Sequence, residues 1–344
     1  MKLEEIIRSR RKRLLGVSLV FVLIVLLIIL VGLHTGSMPI SPLGVWKTLF
    51  GYGTPYETMA LYEFRLPRIL VTMLAGAGLG VTGMVFQGVS RNSLADPGIL
   101  GVNTGAAFGL IVYISFFLEM NGPMSLMIPL FAFAGGLLVA FIVFLLSYDR
   151  YRGLLPIRLI LVGIAVAAGF SALTLLLSLR LDDTTYAFAA RWLAGNVWGR
   201  EWVHVWALLP WVVLCFPLIY MQSRKLDLFS LGDEIATGLG NSPTKNRFLL
   251  LLLAVALSCA SVSVAGGISF IGLAAPHIAR RLVGPKHSGS LLITALIGMA
   301  VLVMADTAGR SLFRPNEIPA GVIVAALGGP YFLYLLLRKN KFES

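Results

Sequence analysis

Charge is scarce in this chain. Asp, Glu, Lys and Arg make up 13% of its 344 residues and hydrophobic residues 58%, whereas a soluble domain carries about 25% charge. That composition describes an integral membrane protein. Cysteine is nearly absent too: Cys215 and Cys259 both lie inside apolar runs, which excludes a disulfide framework and reads as small buried residues. No GxxxxGK[ST] phosphate loop occurs, so the chain does not hydrolyse ATP by itself. HExxH, Cys/His ligand spacing and a GxSxG nucleophile elbow are missing as well; His34, His204, His277 and His287 are scattered. No metal site, cofactor or catalytic group is expected. Finally, none of the long apolar runs carries an ionisable residue near its centre. Ion-coupled transporters commonly place such groups at membrane depth, and an intramembrane enzyme needs polar catalytic groups there. The missing groups argue against both an ion-coupled secondary transporter and an intramembrane enzyme.

Apolar runs long enough to cross about 30 Å of hydrocarbon fall near 14–33, 66–88, 126–147, 159–179, 202–221, 246–267, 288–306 and 318–337, with shorter candidates near 97–117 and 269–282. Counting the short ones gives ten spans. The first run follows "RSRRKR" in the charge order of a secretory signal, but it is too long for an h-region and lacks a small-x-small site, so it reads as a retained span. The net charge of +12 would raise nucleic acid as a partner, yet the basic residues sit in short clusters between apolar runs, as topology signals do. Ten spans with both ends cytoplasmic place 20 of the 28 Lys and Arg inside. The acidic residues divide evenly, as expected when only basic residues set orientation.

A span rich in small residues followed by a break and a short span occurs twice, at 66–117 and at 246–282. The two halves, about 66–180 and 246–338, run in opposite directions and read as inverted repeats within one permease domain. Gly78, Gly80 and Gly83 spell GxGxxG, but they lie mid-span, where close helix packing explains them better than dinucleotide binding. In "RNSLADPGILGVNTG" (91–105), Asp96 can cap a helix beginning at Pro97, which makes the segment a break and restart of helix near the inner interface.

The longest inner loop, about 223–247, holds a short amphipathic element. Ser230 can cap a helix with Asp233 and Glu234 in its first turn, Gly240 can end it, and Leu231, Ile235 and Leu239 form one apolar stripe. The stripe either lies on the chain's own spans or headgroups or fits a cleft in a cytoplasmic partner. On the outer side, Arg65 and Arg68 precede a span and Asp306 and Arg310 stand four apart; they are snorkelling anchors or a docking surface for an acidic partner.

Together these pieces resemble the permease subunits of type II ABC importers, the FecCD-like family for iron–siderophore, haem and cobalamin uptake. The resemblance runs from about Arg65 to Arg338 and rests on "RLPRIL…LAGAGLGVTGMVFQGVSRNSLADPGILGVNTGAAFG", "SLGDEIATGLG", "VAGGISFIGLAAPHIARRLVG", "ADTAGR" and "EIPAGVIVAALGGPYFLYLL". It implies an all-α polytopic fold of about ten transmembrane helices in the cell (cytoplasmic or inner) membrane. It also implies a second permease subunit, identical or paralogous, with the pathway between the two. Two cytoplasmic ATPase subunits and an extracytoplasmic substrate-binding protein complete the expected partners.

By position, Leu231, Gly232, Asp233, Glu234, Ile235, Ala236, Leu239 and Gly240 match the family's ATPase-coupling helix. Arg65, Arg68 and Arg310 match its binding-protein contacts, and Leu155, Pro156 and Arg158 fall at its inner gate. The cobalamin branch has small hydroxyl residues at that gate, and Leu155 and Pro156 depart from this. The expectation is import of a ferric siderophore, with haem or cobalamin as the alternative within the family.

Overall fold

The computed structural model describes residues 2–36, 40–117, 124–150, 153–312 and 316–339; Arg152, Arg314 and Lys341, three of the basic residues used for topology, lie outside them. Helix α1 (Lys2–His34) carries the basic N-terminal segment into the first span without a break. Its leucines Leu15, Leu19, Leu23 and Leu27 stand exposed, as suits a peripheral helix facing lipid. Two short helices follow, α2 (Pro42–Leu49) and α3 (Pro55–Met59), the latter closed by a capping box between Thr54 and Glu57. A π-helical turn, Ala60–Arg65, leads into α4 (Leu66–Ser90).

Beyond α4 come a 3₁₀ turn (Pro97–Leu100), α5 (Val102–Phe116) and α6 (Met124–Ser147). A tight hairpin pairs β1 (Tyr148–Asp149) with β2 (Gly153–Leu154) in antiparallel register, Tyr148 opposite Leu154. Then follow α7 (Pro156–Ser178), α8 (Asp183–Leu193), α9 (Trp202–Met221), α10 (Ser223–Phe229) and α11 (Asp233–Gly238). The chain closes with α12 (Pro243–Ala265), α13 (Ile271–Val283), α14 (His287–Leu312) and α15 (Ala320–Lys339). Among the described residues seven helices are long and apolar enough to span a membrane, and Val102–Phe116 and Ala320–Leu333 are shorter apolar helices. With the amphipathic α13 they make the ten of an all-α polytopic permease.

Helix α4 is the hub, and glycine makes it so. A Cβ at Gly76 would overlap the Gly298 carbonyl oxygen of α14, and one at Gly83 would overlap the Gly272 backbone of α13. Backbones can approach this closely only where side chains are missing, which is the physical content of the GxGxxG run. The packing is reciprocal. Helix α4 lies against α12, α13 and α14, and α12 against α4, α5 and α6, while α5 rests on α6 and α7 and α13 on α14 and α15.

Each short helix begins after a sharp turn. Asp96 Oδ1 accepts the Gly98 amide at 2.8 Å, and the 3₁₀ turn ends at Gly101, whose φ of 72° only glycine adopts freely. The restart at Pro97 is thus a single turn, with α5 proper beginning at Val102. Ahead of α13, Phe270 takes a left-handed φ of 69°. Gln87 of α4 ties down this second break, its Nε2 donating to the Gly272 oxygen at 3.1 Å while Arg280 bonds its Oε1.

Candidate functional site

Two clusters of polar contacts mark the ends of the bundle. At one, the basic end, α11 is held by its acidic first residue. Arg91 closes α4 in a left-handed conformation (φ 54°), donating from Nε to the Phe229 oxygen at 2.6 Å and from its guanidinium to Asp233. Arg247, the fifth residue of α12, reaches the same carboxylate: Nη2 lies 3.0 and 3.3 Å from the two Asp233 oxygens. Its Nη1 donates to the Leu154 oxygen of β2 at 3.1 Å. Nearby, Asp227 of α10 receives the His287 amide at 2.9 Å and the ring Nδ1 at 2.7 Å.

The loop departs locally from the sequence expectation. Ser230 does not cap α11; its hydroxyl turns back to the Asp227 oxygen at 2.6 Å, and the N-cap is Gly232 with φ 106°. The helix is six residues long, with Leu231, Leu239 and Gly240 in flanking turns. Its orientation is decisive. Ala236 faces inward, fully buried, while Leu231, Ile235 and Leu239 are 52%, 55% and 63% exposed. The apolar stripe therefore does not lie on the chain's own spans. Gly232, Glu234 and Gly240 complete this outward surface.

Leu155 and Pro156 link β2 to α7, with Pro156 in the first helical turn and Leu155 half-buried. Arg158 is exposed and meets Asp149 at 3.4 Å, clipping the hairpin to the helix it precedes.

At the far end the arginines separate. Arg65 and Arg310 are each only 5% exposed. Arg65 donates to the Leu33 oxygen, and Arg310 donates to Gly32 and, at 2.7 Å, to Thr35. They satisfy the last carbonyls of α1, where a cation also meets the negative end of the helix dipole. Arg68 forks onto Asp306 and contacts Glu317 at 3.0 Å. All three line a pocket of about 340 Å³ together with Arg200, Glu317 and Trp198. The sequence reading missed Arg200 and Arg247, because each reads as an ordinary basic residue beside a span. Burial pulls the Arg200 guanidinium down to about 10, still charged at neutral pH. Among the described residues no group of three His, Cys, Asp or Glu is placed to hold a metal ion.

A continuous bundle with an outward apolar knob at one end and an arginine-lined pocket at the other invites comparison with transporters. The profile of the FecCD transport family matches residues 23–338. The chain belongs to the FecCD transport family. It is 43% identical over 333 residues to the iron(3+)-hydroxamate import system permease protein FhuG of Bacillus subtilis, covering 96% of this chain and 98% of that one. The Fe(3+) dicitrate transport system permease protein FecD of Escherichia coli is 39% identical over 316 residues, covering 90% and 94%. Among solved structures, a metal-chelate type ABC transporter in an inward-facing conformation superposes with a TM-score of 0.80 at 29% identity, covering 94% of this chain and 99% of that one. As a FecCD member the chain is a multi-pass membrane permease of an ABC importer.

Proposed function

We propose that this FecCD permease carries a ferric siderophore across the cytoplasmic membrane, driven by a separate ATPase that grips α11. The exposed stripe Leu231–Ile235–Leu239 carries the reading. Three apolar side chains held out from the basic end, on a helix pinned by Asp233, are costly unless a partner covers them. The basic end then faces the cytoplasm, consistent with its excess of Lys and Arg. ATP binding in the partner would move α11, and the span bundles would exchange inward and outward access. The permease binds and releases its cargo without covalent chemistry, through a lining poor in charge that does not hold a bulky chelate tightly. The iron chelates named for its relatives support a ferric cargo.

The far-end pocket is proposed as the docking position for an acidic lobe of a substrate-binding protein. Arg65 and Arg310 build its floor, and Arg68 can exchange Glu317 for a carboxylate of the partner. A second permease subunit is proposed against α7, whose small residues Ala165, Ala168, Gly169 and Ala172 are exposed, the surface that close helix pairing in lipid uses. The reciprocal packing of α4 with α12–α14 and of α12 with α4–α6 supports inverted halves within the chain.

The test is co-purification. The chain expressed with its neighbouring ATPase should yield a stable complex that takes up the chelate with ATP. A chain that transports without any ATPase would refute the assignment.

A further inference from the structure

We infer that Arg247 is a positioning residue that ties α11 to the hairpin ahead of α7, so that displacement of one displaces the other. The inference rests on α11 being the ATPase contact, and it adds the path by which that contact reaches the transport helices.

Three elements meet on one guanidinium. Arg247 is 4% exposed although it stands only five residues into α12. Its Nη2 donates to both oxygens of Asp233, and Nη1 donates to the Leu154 oxygen of β2. Its face lies 5.3 Å from the centre of the Phe229 ring, within reach of a cation–π contact. The fork fixes direction as well as distance, which a flexible ammonium cannot reproduce.

Helix α11 is held at its two ends rather than by its own packing. Of its six residues only Ala236 is buried, and Gly232 and Gly240, both at positive φ, bound it as hinges. The carboxylate of Asp233 sets the place of its N-terminal end, while its C-terminal end is tied to α12 through Asn241, whose amide donates to the Ala236 oxygen at 3.0 Å and whose side-chain oxygen accepts from Asn246. The Asp233 carboxylate has two guanidinium partners with different destinations: Arg91 leads to the end of α4, whereas Arg247 leads to β2. Leu154 is buried, and its carbonyl lies two residues before Pro156, where α7 begins. A push on α11 thus pulls on the start of α7 through two hydrogen-bonded links. Sequence alone hides this, because Arg247 is 93 residues from Leu154 and reads as a topology signal.

The test uses the whole transporter, chain and ATPase together, in lipid nanodiscs. Both native cysteines are buried, so Leu155→Cys gives a single reporter for a maleimide probe at the hairpin. With Arg247 intact, the labelling rate should change several-fold between the nucleotide-free and nucleotide-bound states. In Arg247→Gln and Arg247→Lys the complex should still assemble and hydrolyse ATP, but that change should vanish. Arg91→Gln, which removes the other partner of Asp233, should keep it.

A purely structural role would lower yield while leaving the nucleotide response in place, and that result overturns the inference. So does a response lost equally in Arg91→Gln, or a thiol at position 155 indifferent to nucleotide with Arg247 present. Failure of both Arg247 variants to bind the ATPase also overturns it, since Arg247 would then serve the docking surface itself. If the unaltered chain binds no ATPase, the proposed function fails instead.

Discussion

Arg68 and Asp306, 238 residues apart, form a forked ion pair in which Nε lies 3.0 Å from both carboxylate oxygens and Nη2 2.8 Å from Oδ1. The pair fastens the start of α4 to the last turns of α14, and both side chains are largely buried. Removing one partner of such a pair strands a charge and costs about 3–5 kcal/mol. Asp306→Ala should therefore lower the thermal unfolding midpoint in detergent sharply. Glu317→Gln removes a more exposed partner of the same arginine and should cost under about 1 kcal/mol. An equal loss in both variants would mean that Asp306 is not the fastening group.

The glycine crossings of α4 make a second prediction. Gly83→Ala places a methyl group against the Gly272 backbone and should cost about 1–3 kcal/mol through forced separation of α4 and α13. A methyl group on Gly16 of α1 would meet nothing within 4 Å, and Gly16→Ala should be neutral or stabilising by up to about 1 kcal/mol from helix propensity. Unfolding midpoints of the two variants, compared under one condition, check this.

Asp96 gives the chain a pH dependence of definite sign. Burial raises its carboxyl above the ordinary range, against the opposing pull of the Gly98 amide. The folded state then binds the proton more readily than the unfolded chain, so this group favours folding most below the unfolded pKa of about 3.9. Its contribution falls as pH rises through the folded value. Asp96→Asn keeps an acceptor for Gly98 and should flatten the decline in stability that sets in above about pH 4. Asp96→Ala removes the cap and should cost about 1 kcal/mol at low pH, a cost that shrinks as pH rises and the parent carboxylate ionises.

Much of this was legible in the residues. The apolar runs forecast the spans, the small residues of α4 forecast close crossings, and Asp96-Pro97 forecast a capped restart, because each is a local signal acting on its own backbone. The stripe Leu231–Ile235–Leu239 was visible too, but not which way it faced; that depends on Asp233 finding Arg91, 142 residues away, together with Arg247 at the loop's far end, 14 residues on. For the same reason the outer arginines looked alike in the chain and differ in the fold. Arg65 and Arg310 reach the last carbonyls of α1, with Arg310 Nε also 3.7 Å from Asp306, whereas Arg68 forks onto Asp306 and meets Glu317. Ser230 misled, because a serine before an acidic turn fits an N-cap equally well when its hydroxyl bonds backward.

The exposed stripe predicts the outcome of charge insertion. Leu231→Arg and Ile235→Arg alter solvent-facing positions and should leave the unfolding midpoint within about 0.5 kcal/mol of the parent. Both should abolish co-purification of the ATPase. Retention of an intact, transporting complex would remove α11 from the coupling role.

ATP-driven import of an iron chelate stands or falls on uptake of radiolabelled ferric siderophore into proteoliposomes holding the chain, its ATPase and a docked binding protein. Accumulation should require ATP and be indifferent to ionophores that collapse ion gradients. Uptake that disappears with the gradient and persists without the ATPase would contradict it.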